Sequence, residues 1–128
     1  MADAVHEIQI RVRYQETDGQ RRLHHAHYLT YFEMGRTEML RARGRTYREF
    51  EEAGLFMVVA EVSCKYLAPA DYDDLLTLRT RVEKAGAAHI KHTYELVRGT
   101  TLLATGSTTV VCVDPDGSIR RMPDWVCA

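Results

Sequence analysis

One long helical stripe, followed by almost nothing but strands, limits what this chain can become. Tyr28, Phe32, Gly35 and Met39 recur at spacings of four, three and four residues, with Leu29 and Leu40 widening the apolar face. The pattern predicts one amphipathic helix over about 27–43, stopped by Gly44. Four runs rich in β-branched and aromatic residues follow, at 57–66, 75–84, 89–98 and 102–113, broken at Pro69-Ala70-Asp71, Ala85-Gly86-Ala87 and Gly99-Thr100. A helix with a broad apolar face must be covered, and without a second long helix the available cover is a sheet.

The remaining elements fit that plan. Residues 7–14 alternate, with Ile8, Ile10, Val12 and Tyr14 on one side and Gln9, Arg11 and Arg13 on the other, which predicts a half-buried first strand. A short helix is expected over 47–53, with Thr46 as N-cap and Glu49 completing a capping box, before Gly54 ends it. Asp114-Pro115-Asp116-Gly117 reads as a turn, and 118–122 as a short edge strand before Pro123. The expected architecture is α+β, a five-stranded antiparallel sheet wrapped around one long central helix. Gly35 costs roughly 1 kcal/mol against Ala inside a helix, so its place on the apolar face implies close approach of another backbone. An unpaired edge strand in the monomer suggests pairing with a twin chain, with a homodimer as the minimum unit and a homotetramer as its possible doubling.

With 128 residues the chain is read as a single domain, large enough for a core but small for a catalytic cleft of its own, so a site shared between subunits is expected. A net charge of −1 supplies no global field for nucleic acid or anionic lipid, and neither is expected as a partner. Cys64, Cys112 and Cys127 form no C-x-x-C pair and leave an odd thiol, which argues against a secreted disulfide framework. Residues 1–7 show neither a basic n-region nor an apolar h-region, and no run approaches the ~20 apolar residues of a membrane span. A cytoplasmic location is expected.

Reactive groups concentrate in one place. Glu16-Thr17-Asp18-Gly19-Gln20-Arg21-Arg22-Leu23-His24-His25-Ala26-His27-Tyr28 sets carboxylate and imidazoles directly before a helix start. Carboxylate, imidazole and unpaired backbone N–H groups are the parts needed to bind a carbonyl and attack it. The competing reading of Asp18 is a turn residue beside Gly19, and that of His25 a structural histidine packed at the helix start. Metal ligation by His24, His25, His27 and Asp18 lacks any recognised zinc spacing, so no metal and no cofactor are expected.

The sequence resembles the hotdog-fold acyl-CoA thioesterases of the 4-hydroxybenzoyl-CoA thioesterase type. The resemblance runs from Tyr14-x-Glu16-Thr17-Asp18 through His25-Ala26-x-Tyr28, Tyr31-Phe32-Glu33 and Arg36-Thr37-Glu38. It continues through Tyr66-x-x-Pro69-Ala70-x-Tyr72-Asp73-Asp74 and Leu103-Ala104-x-Gly106 to Gly117 and Arg121-x-Pro123. Each piece is weak alone; their order is specific. Two positions depart from the family, Arg21 standing where glycine is usual and His27 where asparagine is. An arginine resists glycine's backbone angles, so the loop must run differently or carry strain.

The resemblance implies thioester hydrolysis, with Asp18 as nucleophile or general base and the backbone N–H of His25 or a neighbour as oxyanion donor. It places the His25 side chain in the site as well. Tyr28, Glu33 and Lys65 are the candidate substrate-binding residues, Tyr28 as a wall of the acyl tunnel and Lys65, with Arg21, Arg22, Arg120 and Arg121, as a candidate for coenzyme A phosphates. For Glu33 the first reading is a structural pairing with an arginine, a partner that Arg36 could supply within the helix, and the site role is the second. The implied substrate is an acyl-CoA or an acyl-carrier-protein thioester. The rivals are a non-hydrolytic acyl- or CoA-binding protein of the same fold, suggested by the altered Gln20-Arg21-Arg22 stretch, and a polyketide-pathway carrier-protein thioesterase.

Overall fold

The computed structural model describes residues 4–127, with the side chain of Cys127 outside the described residues. Strand β1 (Val5–Arg11) leads through a 3-10 turn at Tyr14–Glu16 into the long helix α1 (His25–Ala42). A short helix α2 (Tyr47–Glu52) follows, then β2 (Phe56–Tyr66), β3 (Leu75–Ala85), β4 (His89–Arg98) and β5 (Thr101–Val113). All neighbours are antiparallel, in the order β1-β3-β4-β5-β2. Because β1 and β2 occupy opposite edges, the segment joining them must cross the whole sheet, and α1 makes that crossing. The helix is therefore clasped by its own connection, the expected α+β arrangement.

Two core clusters lie along the helix. Its N-terminal half packs Tyr28, Tyr31 and Phe32 against Leu76, Leu78 and Leu96, while Met39 and Leu40 meet Phe50, Val82, Ile90 and Val110 further on. Phe32 stacks on Tyr94 with ring centroids 4.3 Å apart, and a Cβ on Gly106 would lie 2.3 Å from the Phe32 ring. Gly106 thus opens β5 to admit the ring. Gly35 does the same for the helix: a Cβ there would lie 2.4 Å from Thr80 Oγ1 and 2.6 Å from Leu78 Cδ2. The close approach inferred from its position is present, but side chains of β3 make it rather than another backbone.

Three boundaries differ from expectation, each for an identifiable reason. The first strand ends at Arg11, and Tyr14 is exposed rather than facing the core, because Arg13 and Glu16 hydrogen-bond each other and fold 14–16 into a 3-10 turn. Helix α1 begins at His25, two residues early, because His24 caps it. Residues 118–122 form no strand; Val113 and Ile119 make one isolated bridge, and then Arg120 N–H donates to Cys112 while Met122 N–H donates to Ala87. Splitting the hydrogen bonds between two partners prevents a ladder. The Thr46–Glu49 capping box forms as expected, and Gly44 and Gly54 follow their helices at φ 81° and 79°. The thiols of Cys64 and Cys112 are free.

Candidate active site

The loop joining β1 to α1 is organised around a buried acid. Glu16 is 3% exposed. Its Oε1 accepts from the Tyr31 hydroxyl at 2.7 Å and from the Arg13 N–H at 2.8 Å, while Oε2 accepts from the Arg13 guanidinium at 3.2 Å. Its carbonyl accepts from the His24 N–H at 2.9 Å, tying the 3-10 turn to the helix start. Burial pushes the Glu16 carboxyl up, but the donors from Tyr31 and Arg13 outweigh it and hold the group below its ordinary value. In the sequence Glu16 stands out only as part of a motif. The available signal was Tyr31, whose hydroxyl on a buried stripe needs a partner.

From that anchor the chain makes a tight excursion. Asp18 N–H donates to Arg22 O at 2.8 Å, Arg21 N–H to Asp18 O at 3.0 Å, and Thr17 bridges Leu23. Arg21, at the usual glycine position, has φ 66°. The loop therefore keeps the left-handed turn that glycine permits, and Arg21 adopts it under strain. Asp18 Oδ1 accepts from Gln20 N–H at 2.8 Å and Arg22 N–H at 3.3 Å. Among the described residues its other carboxylate oxygen has no partner. The Gln20 N–H above all holds the Asp18 carboxyl below its usual range; desolvation opposes it, and the Arg22 N–H and nearby His24 add to the lowering. Asp18 is ionised at neutral pH, suited to accept a proton or attack, not to donate. It is also the turn residue of the competing reading, because the turn's N–H groups are what aim it.

At the helix start the three histidines part company. His24 Nδ1 accepts from Ala26 N–H at 3.1 Å, and His24 O accepts from His27 N–H at 3.0 Å. His24 is thus the N-cap, a role the sequence concealed because imidazole is not a usual capping group. The His25 N–H makes no hydrogen bond among the described residues. His25 stacks on His24 with centroids 4.2 Å apart, and its carbonyl accepts from the Tyr66 hydroxyl at 2.9 Å. Tyr66 meets Tyr28 edge-on at 4.8 Å. Asp18, Arg22, His25, Tyr28, Tyr66 and Leu67 line one open groove of about 340 Å³. Asp18 and His25, the first residue of the helix, border one groove, and an ionised carboxylate and a helix start are the kinds of group that can attack a carbonyl and receive developing negative charge.

The other two candidates lie elsewhere on the chain. Glu33 borders a separate hollow with Arg36, Tyr47 and Phe56 at the far half of α1, and Lys65 lies in a shallow cleft with Ser63, Arg81 and Lys91 on the outer face of the sheet. The ion pair expected between Glu33 and Arg36 does not form: Arg36 turns inward and is buried, while Glu33 stays exposed. Of the basic candidates for phosphate, Arg120 is paired with Asp114 and Arg121 lies by Asp124, whereas Arg22 stands in the Asp18 groove.

Comparison with known proteins decides the family. The thioesterase superfamily model matches residues 21–105. The chain belongs to the thioesterase superfamily. The acyl-CoA thioesterase YbgC of Haemophilus influenzae is 36% identical over 115 residues, covering 89% of this chain and 85% of that protein. The acyl-CoA thioester hydrolase YbgC of Escherichia coli is 34% identical, covering 83% of this chain and 80% of its own. Among solved structures, a probable thioesterase from Bartonella henselae superposes with a TM-score of 0.89 at 32% identity, covering 94% of this chain and 100% of that one. The DHNA-CoA thioesterase of Staphylococcus aureus superposes with a TM-score of 0.90 at 28% identity, covering 94% and 85%. The fold of this superfamily member is the hotdog arrangement that the motif order implied. The superfamily match starts just beyond Asp18, so the part assigned to that residue rests on the loop itself.

Proposed function

We propose that this chain hydrolyses an acyl-CoA thioester, with Asp18 as the attacking or proton-accepting carboxylate. The observation that carries the proposal is the ionised Asp18 sharing a groove with the unpaired N–H of His25. In the base route, Asp18 takes a proton from water as the water oxygen bonds to the thioester carbon. The carbonyl oxygen becomes an oxyanion facing the His25 N–H, and collapse breaks the C–S bond to release thiolate, which takes up a proton. In the nucleophilic route Asp18 itself bonds to that carbon and thiolate leaves, after which water cleaves the mixed anhydride. Tyr28 walls the acyl side, the His25 imidazole borders the thiol side, and Arg22 meets phosphate. Relatives bearing acyl-CoA names favour coenzyme A over a carrier protein.

The active form is a homo-oligomer, cytoplasmic and built from copies of this chain. Strand β2 lies at the sheet edge with Phe56, Val58, Val59, Val62 and Tyr66 exposed, an apolar strand that pairing with a second β2 would cover. No described helix is long and apolar enough to cross a membrane.

The test is thiol release from an acyl-CoA panel by the parent and Asp18→Asn. Asparagine keeps an oxygen for the Gln20 and Arg22 N–H groups, so the turn should persist while the rate falls about 10²–10⁴-fold. An Asp18→Asn protein as fast as the parent would remove Asp18 from the mechanism.

A further inference from the structure

His24 is half-buried beside the Asp18 groove and does not border it. Even so, three of its groups tie the reactive loop to the helix. Its N–H donates to Glu16 O at 2.9 Å, its carbonyl accepts from His27 N–H at 3.0 Å, and its Nδ1 accepts from Ala26 N–H at 3.1 Å. The side-chain bond is conditional. A ring nitrogen accepts only while it carries no hydrogen, so this cap requires the neutral imidazole with its proton on Nε2. The usual capping residues, serine, threonine, aspartate and asparagine, go on accepting through the neutral range. Imidazole is the side chain that changes charge between about pH 5 and 8.

Protonating His24 has three consequences, all of one sign for the chemistry. The Ala26 N–H loses its acceptor. The new charge stands at the positive end of α1, where a cation is unfavourable. It also lies close enough to Asp18 to act on it: the Gln20 N–H above all holds the Asp18 carboxyl down, desolvation opposes this, and the Arg22 N–H and the His24 charge add to the lowering. A carboxylate held lower is a weaker base and a weaker nucleophile. The other charged and titratable groups around the ring come from each neighbouring element. Arg22 belongs to the same loop, with Asp71 of the β2–β3 connection bridged to it. The His25 and His27 rings of α1 lie 4.2 and 6.1 Å away between centroids, and Tyr66 of β2 holds the His25 carbonyl. The Glu16 carboxylate is taken up by Tyr31 and Arg13.

We propose that His24 is a positioning residue for thioester hydrolysis, fixing the start of α1 beside Asp18 while its ring is neutral and slowing the reaction when the ring gains a proton. The inference rests on the proposed use of Asp18. Asp18 does not itself supply a loss of rate between pH 8 and pH 5, because its carboxyl is held below an ordinary value of 3.8 and stays ionised throughout. His25 is the imidazole that does border the groove, and the test separates the two rings.

The experiment follows hydrolysis of butanoyl-CoA, hexanoyl-CoA and benzoyl-CoA by the full chain from pH 5 to pH 8, using whichever is turned over fastest. In the parent, kcat should fall roughly tenfold from pH 8 to pH 5, with KM changing less than about twofold because His24 lies outside the groove. His24→Ala should be slow at every pH. His24→Asn, which restores a cap that does not titrate, should recover most of the pH 8 rate and lose less than about twofold by pH 5. His25→Gln should keep the acid loss of the parent. Nitrogen-15 NMR of the unmutated chain gives a readout independent of turnover. At pH 8 the His24 ring should show a bare Nδ1 and a protonated Nε2, and the Ala26 amide should shift with the same midpoint as the His24 ring. An acid loss that persists in His24→Asn, its disappearance in His25→Gln, or an Ala26 amide indifferent to the His24 titration would each overturn the inference. Asp18→Asn as fast as the parent at pH 8 would defeat the reading of Asp18 instead, and the amide titration would still decide whether His24 caps α1. Both the NMR titration and His24→Asn carry the test even if His24→Ala does not fold.

Discussion

Replacing Tyr31 by Phe isolates the bond that anchors the reactive loop. The substitution deletes one hydroxyl from a fully buried ring and leaves the packing volume of the ring in place. Glu16 Oε1 then keeps only the Arg13 N–H, and a buried carboxylate loses a donor held at 2.7 Å. Hydrogen bonds to charged groups contribute about 1.5–3 kcal/mol, so a loss near 2 kcal/mol is expected. The Arg13 guanidinium contact adds little, because its side chain is 63% exposed and solvent screens it. For a domain of this size the loss corresponds to a melting temperature lower by roughly 6–10 °C. The Glu16 carboxyl lies below its unfolded value in the native protein, so its stabilisation is present above that value and is lost as pH falls through the folded one. Tyr31 is among the groups holding it down. In Tyr31→Phe the carboxyl moves up, acid destabilisation starts at higher pH, and the gap to the parent narrows once both are protonated. Thermal and urea melts of the parent, Tyr31→Phe, Glu16→Gln and the double variant across pH 3–8 measure this coupling directly. A gap below about 0.5 kcal/mol at pH 7, or one that stays constant down to pH 3, would refute the anchoring role.

Arg21→Gly should leave stability unchanged or raise it by up to about 1 kcal/mol, since relief of the left-handed backbone is partly offset by glycine's greater freedom when unfolded; a melting temperature several degrees lower would show that the arginine side chain holds the loop. In Gly35→Ala the new methyl meets Thr80 and Leu78, and the overpacking cost of about 1–3 kcal/mol exceeds the roughly 1 kcal/mol gained in helix propensity; urea denaturation should show a net loss. Val62→Lys places a charge on the exposed β2 edge, and light scattering should report a folded 14.7 kDa monomer in place of the proposed oligomer; an unchanged assembly would locate the interface elsewhere.

Period and punctuation made most of the fold legible. The stripe Tyr28, Phe32, Gly35 and Met39 faces the sheet as its spacing demanded, and the four later strands fall within a residue or two of their expected ends. Local signals failed where a distant partner intervened. Tyr14 continues a perfect alternation yet leaves the core, because Glu16 is drawn inward by Tyr31 across fifteen positions of sequence. Residues 118–122 look like a strand but divide their hydrogen bonds between two partners. Asp18 and His25 were legible as a pair because one short loop contains both and cannot separate them far. Glu33 and Lys65 border other hollows of this chain, since a helix face and a strand face carry side chains in directions that only the packed sheet fixes.

By itself the sequence determined the element order, the helix face that is buried and the loop that holds the reactive groups, because each depends on short-range period, turn chemistry or proximity along the chain. Tertiary structure alone decided that Tyr31 draws Glu16 inward, that Tyr14 leaves the core, and that Arg36 turns inward rather than toward Glu33. Those are questions of burial and of which group reaches another first, and neither is defined until the sheet closes around the helix.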